Sequence, residues 1–75
     1  MTLIDVLFRY GAPPTESAMG AYGQLSDVYG IRRLRLNEPE HTIRVEYDAT
    51  RLTEANVEHL LRAAGFDITD KLALV

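Results

Sequence analysis

The chain has no cysteine and no tryptophan, and the first absence removes several classes of chemistry at once. Without thiols there is no disulfide staple, no thiolate metal centre and no cysteine nucleophile. Any metal would rest on nitrogen, oxygen or thioether ligands. Basic residues are outnumbered, with 8 Lys and Arg against 11 Asp and Glu for a net charge of −3. That balance speaks against general nucleic-acid affinity, because neutralising phosphates takes a basic footprint. Apolar runs are only a few residues long, too short to span a bilayer. The opening Met1-Thr2-Leu3-Ile4-Asp5 lacks the basic stretch that begins a secretory signal. A cytoplasmic protein with no nucleic-acid and no membrane partner is the expectation.

What is present is ordinary globular material: 75 residues, 47% hydrophobic and 25% charged. That length allows one domain, 1–75, with a single two-layer core. Residues 2–10 alternate, with Ile4, Val6, Phe8 and Tyr10 on one face and Leu3, Asp5, Leu7 and Arg9 on the other, the period of a strand buried on one side. Gly11 and Pro13-Pro14 end it, since proline cannot donate to a ladder and suits the entry to a helix. From about Thr15 to Tyr29 the apolar positions Ala18, Ala21, Tyr22, Leu25, Val28 and Tyr29 form one helical stripe, with Gly30 placed to cap it.

Ile31, Leu34 and Leu36 read as the inward side of a second strand, and the break in spacing after Ile31 suggests a bulge. Asn37-Glu38-Pro39-Glu40 is a turn. Ile43, Val45 and Tyr47 alternate with Thr42, Arg44 and Glu46 as a third strand. Thr53 is the expected N-cap of a second helix, with Leu52 and Val57 as its hydrophobic staple and Val57, Leu60, Leu61 and Ala64 as its buried face. Gly65 ends that helix, and 66–75 holds a last strand with Ile68, Leu72 and Leu74 inward. The order βαββαβ, with two helices of one apolar stripe each, predicts an α+β ferredoxin-like two-layer sandwich: an antiparallel sheet of order 4-1-3-2, helices on one face, and the other face open.

These residues resemble a known family, the heavy-metal-associated domains of copper chaperones and metal-transporting P-type ATPases. The resemblance covers essentially the whole chain. Gly30-Ile31 with Leu34 and Leu36 is similar to that family's second strand, Ile43-Arg44-Val45-Glu46-Tyr47-Asp48 to its third, and Leu60-Leu61-Arg62-Ala63-Ala64-Gly65-Phe66 to the end of its second helix. It implies that Gly11 and Ala12 stand at the glycine and methionine of the family's metal loop, and Pro14 and Ser17 at its two cysteines. Proline offers no donor atom and a serine hydroxyl is a neutral, hard ligand, so the capture of Cu(I) or Zn(II) that the family performs is expected to be lost or weak. Phe66 stands at the aromatic position beside that loop.

The candidate residues follow from this placement. His41, helped by Glu16, Glu38 or Glu40, is the one candidate for a weak divalent-cation site; the competing reading is a solvated hairpin histidine. No cofactor is expected. His59 and Met19 read as surface residues. The open sheet face gathers Arg9, Arg33, Arg35 and Arg44 against Asp5 and Glu46, flanked by Leu3 and Leu7. It lacks the aromatic residues that an RNA-binding sheet stacks on bases, so cross-strand ion pairs and a protein-contact surface are expected there. A homodimer through the edge of the second or the last strand is the other partner expectation. No nucleophile sits near a base and no carboxylates share a catalytic spacing, so enzyme activity is not expected. The non-catalytic reading leaves one alternative open, an ACT-like small-molecule or protein-interaction and dimerisation domain with no metal role.

Overall fold

The computed structural model describes residues 2–72. It runs β1 (Leu3–Tyr10), α1 (Glu16–Leu25), β2 (Ile31–Asn37), β3 (Thr42–Asp48), α2 (Glu54–Ala64) and β4 (Ile68–Leu72). The strands form one antiparallel sheet in the order β2-β3-β1-β4, which is 4-1-3-2 read from the opposite edge. The fold is the expected α+β ferredoxin-like sandwich. Its core joins Val6, Phe8 and Tyr10 of β1 with Ile43, Val45 and Tyr47 of β3, closed by Ala18 and Leu25 of α1, Val57 and Leu61 of α2, and Phe66 and Ile68. The alternating strands and the two helical stripes therefore meet in one apolar layer. No described helix is long and apolar enough to cross a membrane.

The second helix forms as its caps dictate. Thr53 Oγ1 accepts from Asn56 N–H at 3.1 Å and Asn56 Oδ1 accepts from Thr53 N–H at 3.0 Å, a reciprocal capping box. At the other end Gly65 takes φ 108°, a left-handed conformation in which a side chain would be strained, with Ala18 of α1 packed against it.

The first helix is shorter than its apolar stripe suggests. It stops at Leu25 with Ser26 as C-cap, not at Tyr29, and Gly30 does not cap it. Two glycines, Gly20 and Gly23, each weaken the helix by about 1 kcal/mol relative to alanine. Ser26 Oγ also donates to Gly23 C=O at 3.1 Å, competing for a carbonyl that the next turn would use. Beyond Leu25 the chain continues in tighter turns, with Asp27 N–H bonded to Gln24 C=O and Val28 N–H to Leu25 C=O. Tyr29 swings out of the expected stripe and is 72% exposed, with the Arg51 guanidinium 4.2 Å above its ring.

Two irregularities set the faces of the edge strands. In β2 the register slips between Ile31 and Arg33, so Arg32 is the extra residue of the bulge anticipated from spacing. In β4 the register slips opposite Arg9 and Tyr10, and Thr69 is the extra residue. That bulge reverses the parity expected for the last strand. Ile68 still faces the core beside Tyr10, but Leu72 pairs with Leu7 and lies on the open face, while Lys71 pairs with Phe8 and reaches Glu54 of α2 at 2.8 Å. Ile4, expected inward, is 42% exposed, because β4 pairs with β1 only from Leu7 onward among the described residues. Leu74 and the rest of the apolar end, 73–75, lie outside the described residues.

Candidate functional site

The loop of residues 11–15 joins the end of β1 to the start of α1, and its backbone is already spoken for. Gly11 N–H donates to Asp67 C=O at 2.9 Å, and Ala12 N–H donates to Asp67 Oδ2 at 2.9 Å. The fit is close: a Cβ on Gly11 would lie 2.7 Å from Asp67 Oδ2, so glycine is needed there for the carboxylate to reach in. Thr15 then caps α1, its Oγ1 accepting from Ala18 N–H at 3.1 Å. Glu16 and Ser17 lie exposed in the first helical turn and Pro14 is half-buried. With the Gly11 amide on a backbone carbonyl and the Ala12 amide on a carboxylate of the same chain, neither is offered to an anion.

Phe66 follows the Gly65 cap of α2 and directly precedes Asp67, whose C=O accepts from Gly11 N–H of this loop. It is buried and meets Tyr10 and Tyr22 edge-on, with ring centroids 6.3 and 6.1 Å apart. His41 ends the β2–β3 turn with φ 53°, accepts from Tyr10 N–H at 2.9 Å through its carbonyl, and stacks its imidazole on the Tyr10 ring at 5.2 Å. Burial pushes the Tyr10 phenol above its ordinary pKa, and the Glu38 carboxylate adds to the shift. His41 and Glu38 are thus gathered at this end of the sheet. Glu40 is held in the turn by its N–H, bonded to Asn37 Oδ1 at 3.3 Å. Among the described residues, however, no three His, Asp or Glu side chains form a group that could hold a metal ion. His59 and Met19 are exposed, as expected.

The open sheet face carries the denser chemistry. Arg33, Arg35, Arg44, Asp5 and Glu46 surround a shallow depression of about 280 Å³. The expected ion pairing is only partly present. Arg44 meets Asp5 at 2.8 Å, and Arg33 lies opposite Glu46 in register, but Arg35 lies directly opposite Arg44. Like charges facing each other across a ladder destabilise it. Arg9, at the far side of the face, is exposed and lies between Thr42 and Asp70 in register.

Two residues important to this framework were missed by sequence reasoning. Asp67 had a signal, since a carboxylate directly follows the Gly65-Phe66 helix end that packs under the loop. Asp48 carries no expected role beyond ending the third-strand segment, yet its buried carboxylate accepts from Thr50 Oγ1 at 2.6 Å, Thr50 N–H at 3.0 Å and Thr2 N–H at 3.4 Å, and pairs with Arg51 at 3.3 Å. No protein-family model and no curated protein matches the chain.

Proposed function

We propose that the chain is a non-catalytic binding module that resembles heavy-metal-associated domains, has given up soft-metal capture at its 11–17 loop, and works through its sheet. The observation that carries this reading is the uncovered charged face, where Arg33, Arg35 and Arg44 stand around one depression and Arg35 faces Arg44 without an acid between them. A cross-strand pair of like charges costs stability, and a partner's carboxylate is the simplest group to relieve it, since arginine offers a planar fork that binds carboxylates in pairs of hydrogen bonds. The loop supports the same reading from the other side. Pro14 and Ser17 supply no soft ligand, and Asp67 closes the backbone of Gly11 and Ala12.

Metal titration separates this reading from a working metal loop. Zn(II) or Cu(I) added to labelled protein is expected to leave the NMR signals of residues 11–17, 41 and 66 in place. Saturable shifts confined to those residues, abolished by His41→Ala, would overturn the loss of metal capture and restore a weak site of His41 with Glu16 or Glu38.

A further inference from the structure

The open arginines are not spread evenly over the molecule. Of the basic residues, Arg44, Arg51, Arg62 and Lys71 each have a carboxylate partner. Arg9, Arg32, Arg33 and Arg35 have none among the described residues, and three of these four lie on β2. That strand is an edge of the sheet, so one side of its backbone ladder has no neighbouring strand.

The pairing register shows which backbone groups point outward. His41 C=O accepts from Tyr10 N–H, so along β3 Ile43 and Val45 turn their backbone groups to β1 while Thr42 and Arg44 turn theirs to β2, and Leu36, opposite Ile43, has its N–H facing away from β3. Outward and inward amides alternate along an antiparallel edge, which turns the Leu34 N–H and C=O outward as well. Leu34 and Leu36 are half-buried on the helix side. A groove of about 970 Å³ lies at the turn end of this edge, with Leu34 and Leu36 on one side of the strand, Arg35 and Arg44 on the other, and Glu38 and Glu40 of the β2–β3 turn also lining it, so the edge nearer Ile31 is the part away from these acids.

We infer that the edge of β2 between Ile31 and Arg35 docks an extended acidic strand of a partner protein, one whose side chains alternate carboxylate and apolar. Main-chain bonds at Leu34 supply the ladder, the partner's carboxylates meet Arg33 and Arg35, and its apolar residues cover Leu34. The arrangement selects against a second copy of this chain. Pairing β2 with itself antiparallel about Leu34 would set Arg33 against Arg35 twice, and like charges in register repel. The inference rests on the binding-module reading and assigns it one surface and one partner chemistry.

The test uses the full chain, labelled for NMR, and a short capped peptide of alternating glutamate and valine matched in length to β2. The peptide is expected to shift residues 31–35, to slow hydrogen exchange of the Leu34 amide, and to bind more weakly as salt is raised. A peptide with lysine in place of glutamate is expected not to bind. Arg35→Glu gives its new carboxylate the Arg44 guanidinium as a partner, so it keeps the fold, and it is expected to weaken the peptide by about tenfold or more. Three outcomes overturn the inference. The acidic peptide fails to bind; a scrambled peptide of the same composition binds equally without protecting Leu34; or sedimentation shows the chain dimerising with Leu34 protected in the dimer. Peptide shifts confined to the depression at Asp5, Arg44 and Glu46 would sink the edge as the docking site while leaving the binding-module reading standing, whereas metal-dependent shifts in the 11–17 loop bear on that reading alone.

Discussion

At the scale of single residues, the fold is pinned by two carboxylates, Asp48 and Asp67. Asp48 gathers the start of β1, the end of β3 and the turn before α2 onto one side chain. The Thr50 hydroxyl, then the Thr50 N–H, and less strongly Thr2 N–H and Arg51, hold its carboxyl below the ordinary 3.8, with burial opposing them. The folded value lies below the unfolded one, so ionised Asp48 stabilises the fold fully above the ordinary 3.8 and loses that contribution as pH falls through the folded value. Asp48→Asn is expected to lower Tm at neutral pH by about 4 °C or more and to flatten the acid limb of a plot of Tm against pH below about 4. An unchanged acid limb in the variant would remove Asp48 as its source. Asp67 works differently, since its role is steric as well as electrostatic: its carboxylate occupies the space that any side chain at position 11 would need.

At the scale of elements, the difference between α1 and α2 explains what was legible. β1, β3 and α2 were readable because their local preferences agree with their packing. β3 alternates without a break, and α2 has Thr53, Asn56 and Gly65 at the positions where caps act. In α1 the apolar stripe and the backbone preference disagree, and the stripe alone overran the helix by four residues, from Leu25 to Tyr29. The β4 bulge at Thr69 left no mark in the spacing, because one extra residue looks like continued alternation until its partner strand is known. Of the candidate site, the topology that brings the end of β1, the 11–17 loop and the end of α2 together was legible. Its internal closure by Asp67 was not, since that bond joins residues far apart in sequence. A Cβ at Gly20 or Gly23 meets nothing within 4 Å, so Gly20→Ala and Gly23→Ala should each stabilise the protein by up to about 1 kcal/mol, read as a higher urea midpoint with unchanged slope. A loss of stability in either variant would mean that the glycines serve a purpose other than shortening the helix.

At the scale of the whole molecule, a net charge of −3 hides an uneven layout. The partnered bases tie elements together, as Lys71 ties β4 to α2 at Glu54 and Arg51 ties the turn before α2 to Asp48, while those with no carboxylate partner among the described residues collect on one edge and one face of the sheet. A frame like that of a metal-capturing domain, with the capturing residues replaced and a charged sheet left uncovered, is the central proposal. It is tested most directly by putting the missing ligands back. The double variant Pro14→Cys, Ser17→Cys places one thiol in the loop before Thr15 and one in the first turn of α1, the pairing that soft ions favour. Titrated with Cu(I) under reducing conditions, the variant is expected to bind one equivalent per chain with shifts at 11–17 and 66, while the unaltered chain binds none. A folded variant that takes up no Cu(I), or an unaltered chain that takes up as much, would contradict the proposal.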